Sequence, residues 1–277
     1  MKNKKIIIVL LIALVLLGGI FVVNFIMQKN NKTVADTTQT GSFRNQWGKD
    51  EIIVGLDQEY PPITFRNDKG ELVGFDIDLA KEAFKRMGLT PVFKPMDWST
   101  IVLSLTKKDI DVVWSGMTIT TERQDKINFT DAYFKGPYVY ILKPDSQIKT
   151  KEDLAGKKVG VQAGSSNEDA FKKDPIYSKV AELKSYSTFQ ESLLDLDIGR
   201  IDTVYGDSVF AYYYINSKGM NYKVIEEANT EQGAGVGIRK EDTSLLTELN
   251  RVLNEMKQYV TAATISNTWF RKNMFVI

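Results

Sequence analysis

Ile52-Ile53-Val54-Gly55-Leu56, and then Asp76-Ile77-Asp78-Leu79-Ala80-Lys81-Glu82-Ala83-Phe84-Lys85-Arg86-Met87-Gly88, decide the fold class. The first stretch is a short apolar run of β type. In the second, Leu79, Ala80, Ala83, Phe84 and Met87 recur at helical spacing until Gly88 stops them. The unit then repeats. Pro91 to Met96 is strand-like, Ser99 is placed to cap a helix carrying Ile101, Val102 and Leu105, and Asp111-Val112-Val113-Trp114 is again of β type. Further on, Lys158-Val159-Gly160-Val161 precedes a helix from about Ser166. Ser187/Thr188 with Gln190/Glu191 offer overlapping capping boxes ahead of another helix, and Ile201 to Tyr205 is a strand before a helix over Ser208 to Asn216. Strands alternating with helices predict an α/β architecture with mainly parallel sheets.

Composition removes whole classes of chemistry. The 277 residues include neither cysteine nor histidine, so disulfides, thiolate or imidazole metal sites, a Cys nucleophile and a Ser-His-Asp triad are excluded. An enzyme built from this chain would run on carboxylates, Lys, Tyr or hydroxyls. With 43% hydrophobic and 26% charged residues the chain is a folded globular one. Residues 1–50 hold seven of the 36 Lys and Arg and two of the 35 Asp and Glu, leaving 29 bases against 33 acids beyond. A slightly acidic folded part lacks the basic face of a nucleic-acid binder.

Lys2, Lys4 and Lys5 precede an apolar run from Ile6 to Met27 interrupted only by Asn24. At about 1.5 Å per residue the run is long enough for a hydrocarbon core of roughly 30 Å. Residues 1–32 therefore read as an N-terminal signal anchor with a membrane helix over 6–27, holding the rest on the outer face of the cytoplasmic membrane. The competing reading is a signal peptide, cleaved to release a secreted or periplasmic protein. Leu17-Gly18-Gly19-Ile20 is laid out like a lipoprotein cleavage box with Ile20 where the lipid-bearing cysteine would stand. Residues 33–49 read as a polar tether.

Ligand sites of α/β folds lie at the carboxyl ends of the strands, where loops lead into helices. Asp57 and Tyr60 follow the first strand, Trp98 the second, Ser115, Gly116, Thr118 and Arg123 the third, Gln162, Gly164, Ser165 and Ser166 the fourth, and Asp207 the fifth. Arg123 can hold a carboxylate through two parallel hydrogen bonds, or pair with Glu122 or Asp125 at the surface. Ser165 and Ser166 at a helix start can bind an anion or simply cap the helix, with Glu168 or Asp169 completing a capping box. Asp207 can accept from an ammonium or cap its helix, and Tyr60 and Trp98 can flank an aliphatic or cationic stem or belong to the core.

The order of motifs sharpens these alternatives. Gly55-Leu56-Asp57-Gln58-Glu59-Tyr60-Pro61-Pro62-Ile63-Thr64-Phe65, Gly74-Phe75-Asp76-Ile77-Asp78-Leu79, Met96-Asp97-Trp98 and Trp114-Ser115-Gly116-Met117-Thr118-Ile119-Thr120-Thr121-Glu122-Arg123 occur in sequence. Phe129 to Tyr133, Asp153 to Val161 and Asp202 to Asp207 follow. Together they resemble the bacterial family 3 extracellular solute-binding proteins, the polar amino-acid receptors of ABC importers, over about residues 50–271. The resemblance implies a two-lobe, periplasmic-binding-protein-like type II fold with a hinge of two crossing strands. Lobe one would take residues 50–137 plus 232–277, and lobe two 138–231. It implies that Arg123 clamps the α-carboxylate, helped by the Thr118 hydroxyl and by N–H groups of Thr118 and Ser166. Asp207 and the Gly116 carbonyl would take the α-ammonium. Tyr60 and Trp98 would pack on the two sides of the ligand side chain, with Asp57, Ser115 and Gln162 near its tip.

The implied partners are a free L-amino acid, an ABC permease with its ATPase, and the membrane; no cofactor, metal or catalytic residue is expected. An unpaired Asp57 carboxylate beside two aromatics suits arginine or lysine first, and Gln162 suits glutamine second. Rival functions are an amino-acid-sensing ectodomain working through a separate membrane partner, and a dehydratase on the same fold, which would need Glu59 or Asp57 as its acid.

Overall fold

The computed structural model describes residues 43–276; the apolar segment 6–27 expected to form a membrane helix lies outside the described residues. Among the described residues no helix is long and apolar enough to cross a membrane. Residues 43–47 are helical (α1), where the sequence suggested an irregular tether. Phe43 and Trp47, one turn apart, stack with ring centroids 6.2 Å apart, the i,i+4 pairing that steadies a short helix.

From Lys49 the chain builds two five-stranded sheets. The first is ordered β5 (Thr90–Pro95), β1 (Glu51–Leu56), β6 (Val112–Val113), β15 (Gly237–Ile238), β7 (Asn128–Phe129). The second is ordered β11 (Glu182–Tyr186), β10 (Lys158–Gln162), β12 (Thr203–Asp207), β9 (Tyr138–Leu142), β13 (Lys223–Glu226). Each has a central strand, β1 or β10, flanked by two parallel neighbours. The remaining strands add antiparallel, so the expectation of mainly parallel sheets holds for three strands of each five. The chain passes between the sheets along β8 (Phe134–Gly136) and returns along β14 (Gln232–Ala234). These two pair antiparallel, with Gly136 opposite Gln232 and Phe134 opposite Ala234. A small three-stranded sheet, β2 (Glu59–Tyr60), β3 (Thr64–Arg66) and β4 (Leu72–Val73), follows β1.

The helix foreseen from Asp76 is α2 (Phe75–Met87). Its start is fixed by Gly74 at φ 142, where a Cβ would sit 2.1 Å from the Ile63 carbonyl oxygen, and its end by Gly88 in the left-handed region. One face buries Phe75, Ile77, Leu79, Ala80, Ala83, Phe84 and Met87, and Phe84 meets Trp114 edge-on at 5.7 Å. In the second lobe Val159, Val161, Tyr140, Leu142, Phe171 and Tyr205 form the equivalent core. The remaining helices are α3 (Ile101–Thr106), α4 (Thr121–Gln124), α5 (Ser166–Lys173), α6 (Phe189–Asp197), α7 (Ser208–Lys218), α8 (Thr243–Gln258) and α9 (Thr261–Phe270).

Local readings shift in two places. Ser99 does not cap α3, which starts after Thr100 with no side-chain cap; Ser99 lies instead in a preceding 3-10 turn, Trp98–Thr100, that Asp97 caps, accepting from Ser99 N at 2.8 Å and from Ser99 Oγ at 2.6 Å. A carboxylate is the stronger acceptor and stands before the first turn. The strand expected at Ile201 to Tyr205 runs Thr203–Asp207, because pairing with β9 carries it on to Asp207. The Thr188/Glu191 capping box forms as foreseen.

Phe84 is fully buried. Phe84→Ala should cost about 3–5 kcal/mol of stability through lost burial and the cavity left behind, measured as a lower urea midpoint with an unchanged slope.

Candidate functional site: the cleft between the sheets

Every strand inspected in the sequence delivers its polar tail to one cleft. Asp57, Tyr60, Trp98, Ser115, Gly116, Thr118, Arg123, Gln162, Ser165, Ser166 and Asp207 all line a single narrow space between the two sheets. Two further residues line it that the sequence reading passed over, Asn167 and Phe189. Phe189 opens α6 three residues past β11, a strand not identified from the sequence, where only the helix cap stands out; Asn167 is the second residue of α5.

Arg123 sits in α4, whose cap Thr120 Oγ1 accepts from Arg123 N at 3.2 Å. Its side chain is 9% exposed. Nη1 donates to the Thr118 carbonyl at 2.9 Å, and Nη2 donates across the cleft to the Gly164 carbonyl at 3.1 Å. The guanidinium lies 5.7 Å from the Trp98 ring centroid. The surface pairing considered for it does not occur: Glu122 pairs with Lys173 instead. Among the described residues no carboxylate forms an ion pair with Arg123, and burial pushes its pKa down from the ordinary arginine value. A buried cation held only by carbonyls is poised for an anion.

Asp207 stands at the N-cap position of α7 without capping it. Its Oδ2 accepts from the Tyr60 hydroxyl at 2.7 Å. Burial raises its pKa, opposed by Tyr60, by Asn167 and by the charge of Arg123. Asn167 Nδ2 is buried without a well-formed hydrogen bond. Tyr60 stacks on Phe189 at 5.8 Å and on Phe210 at 6.0 Å, giving one aromatic wall; Trp98, 8% exposed, is the other large ring of the cleft.

Asp57 is not the unpaired carboxylate expected from sequence. Its Oδ1 accepts from Glu59 N at 2.8 Å and its Oδ2 from Gln162 Nε2 at 2.6 Å. Gln162 reaches it because β10 ends opposite β1 across the cleft, an approach that no local pattern encodes. Burial nevertheless raises the Asp57 pKa, and the negative charges of Glu59 and Asp97 push it the same way. Ser115 Oγ is 2.5 Å from Thr64 Oγ1 and accepts from Asp57 N at 3.2 Å, so it steadies the end of β1. Ser165 caps α5, accepting from Glu168 N at 3.1 Å, while Glu168 Oε2 accepts from Gly164 N at 2.7 Å. Ser166 then opens the helix, where first-turn N–H groups lack intrahelical acceptors.

Two α/β lobes joined by a pair of crossing strands, with a polar cleft at their strand ends, define a two-lobe receptor of the type II periplasmic-binding-protein architecture. The chain belongs to the bacterial extracellular solute-binding proteins, family 3, whose profile matches residues 52–272. It is 31% identical to the L-cystine-binding protein TcyJ of Escherichia coli strain K12 over 256 residues, 92% of this chain and 94% of that one. An ABC uptake transporter substrate-binding protein from Streptococcus pneumoniae, solved with bound histidine, superposes with a TM-score of 0.81 at 34% identity, covering 86% of this chain and 98% of that one. An ancestral arginine-binding protein bound to arginine superposes at 0.76 with 38% identity, covering 80% of this chain and 99% of that one. These relatives are binding proteins for amino acids.

Gly116 adopts φ +60, and a Cβ there would meet Tyr60 Cε1 at 2.9 Å. Gly116→Ala should therefore cost about 1–2 kcal/mol from the left-handed backbone alone, seen as a lowered unfolding midpoint. Displacement of the Tyr60 ring should appear in the near-ultraviolet circular dichroism.

Proposed function

We propose that this protein is the extracellular receptor of an ABC importer, capturing a polar amino acid between its lobes and presenting it to a membrane permease served by an ATPase. The observation that carries the reading is the buried Arg123 cation without a carboxylate partner, in the same cleft as Asp207. A zwitterion supplies what each lacks: a carboxylate for the guanidinium and an ammonium for Asp207. Thr118 and the first turn of α5 at Ser166 assist at the carboxylate, and the Gly116 carbonyl at the ammonium. Tyr60, Trp98 and Phe189 exclude water around the side chain, whose tip meets Asp57, Ser115 and Gln162.

The lobes comprise residues 50–137 plus 232–277 and residues 138–231, so ligand contacts on both favour the closed state. The polypeptide before residue 33 holds the receptor on the outer face of the cytoplasmic membrane, or is cleaved to release it.

Arginine or lysine is the first choice of ligand. Glu59 and Asp97 add negative charge around Asp57, which pairs with a neutral amide and with no Lys or Arg among the described residues; that surrounding favours a cationic tip. Glutamine is second, supported by the Gln162 amide beside Asp57. The named ligands of the three relatives are cystine, histidine and arginine, so kinship leaves this choice to the residues at the tip. The engagement of Asp57 by Glu59 and Gln162 supports retention of an amino acid rather than turnover.

Isothermal titration with the common amino acids should give binding, with arginine or lysine tightest; no heat with any amino acid would refute the receptor reading. Arg123→Ala should remove more than about 3 kcal/mol of binding free energy, and near-normal affinity in that variant would show that the carboxylate sits elsewhere. Asp57→Asn should weaken a cationic ligand strongly and glutamine much less, which competition titrations would separate.

A further inference from the structure

Asp76 has no place among the residues lining the cleft, yet it supports the turn that does. It lies in the first turn of α2 and is 1% exposed. Its Oδ2 accepts from Gly116 N at 2.6 Å and from the Tyr133 hydroxyl at 2.6 Å. Its Oδ1 is buried without a hydrogen-bond partner.

Both donors belong to parts that function requires. Gly116 is the left-handed turn of the cleft beneath Tyr60. Tyr133 immediately precedes β8, and its N–H donates to the Ala234 carbonyl of β14 at 3.0 Å, so one carboxylate oxygen ties the cleft turn to the crossing strands. We infer that Asp76 is a positioning residue that holds the Gly116 turn firmly only as a carboxylate, so that capture of an amino acid is coupled to loss of a proton from Asp76. The inference rests on the receptor reading above.

The physical chain is short. A carboxylate accepts a hydrogen bond about twice as strongly as a neutral carbonyl, so protonation at the partnerless Oδ1 loosens both bonds to Oδ2. Conversely, an ammonium seated beside Gly116 brings positive charge close to Asp76 and favours its ionised form. Burial pushes the Asp76 pKa up to about 7, with the Tyr133 and Gly116 hydrogen bonds opposing. The titratable groups facing it are Tyr60 and Tyr133, both pushed up by burial and neutral across this range. Among the described residues no Lys or Arg pairs with it.

The sign follows: above pH 7 the ionised, binding-competent form dominates, and below it the fraction falls. Titration of the full protein with L-arginine, L-lysine and L-glutamine at pH 8 and pH 6 should show affinity about tenfold weaker at pH 6 for whichever binds most tightly. Calorimetry at pH 7 in buffers of different ionisation enthalpy should show about half a proton released on binding, because a group with its pKa near 7 is half protonated there. Asp76→Asn, which keeps an acceptor oxygen but cannot ionise, should bind weakly already at pH 8 and lose the roughly tenfold step between pH 8 and pH 6 that Asp76 supplies. Any pH dependence contributed by Asp57, Asp207 or the ligand persists in that variant and is subtracted by the comparison. Tyr133→Phe, which removes a bond favouring the carboxylate, should move the midpoint of the affinity profile to higher pH, and it serves if Asp76→Asn fails to fold. Binding that is flat between pH 6 and 8, or a slope unchanged in Asp76→Asn, overturns this inference alone. Absence of binding at both pH values overturns it together with the receptor reading.

Discussion

A guanidinium buried among carbonyls, with no carboxylate among the described residues to answer it, is the constraint around which the rest of the fold is arranged. Arg123 reaches the Thr118 carbonyl on its own lobe and the Gly164 carbonyl on the other, beneath Trp98. Carbonyl dipoles lower the cost of burying that charge without neutralising it. The helix that carries Arg123 is only four residues long and is held by the Thr120 cap, so the cation is placed by a turn rather than by a long rigid element. Both sheets must end at the same level for this to work, and the parallel triplets around β1 and β10 bring their carboxyl ends to one cleft.

The opposite charge is managed differently. Asp207 and Asp57, which belong to different lobes, are each met by a neutral donor from the facing lobe, Tyr60 for the one and Gln162 for the other. Hydrogen bonds from neutral groups leave the negative charge of both carboxylates uncompensated while bridging the lobes. Phe189 and Phe210, stacked with Tyr60, make the surrounding space apolar, which strengthens every charged contact made there.

Much of this was legible in the sequence because it follows from local periodicity. The alternation of β1 with α2, the stop at Gly88 and the Thr188 capping box depend on neighbouring residues alone. The rule that α/β folds gather ligands at strand ends then collected eleven residues that do line one cleft. What escaped depends on approach between distant segments. Gln162 meets Asp57 across 105 positions of chain, and Tyr60 meets Asp207 across 147. Phe189 was hidden because a residue just inside a helix looks like ordinary core, and Asn167 because its neighbours Ser165 and Ser166 already explained the helix start. Ser99 looks like a helix cap because spacing does not reveal that Asp97 first caps a 3-10 turn, which draws Ser99 in before α3 begins.

The paired strands β8 and β14 have a consequence for how such a receptor can be tuned. The two connections are hydrogen-bonded to each other, from Gly136 with Gln232 to Phe134 with Ala234, so a hinge at this point would have to bend both strands together. Under the proposed closure, occupancy of the closed state would be set by backbone torsions in that two-stranded ribbon, and apparent affinity would scale with the occupancy. On that reading recognition chemistry and sensitivity would be separately adjustable: substitutions in the cleft would change which amino acid is held, and substitutions in the ribbon how much of it is needed.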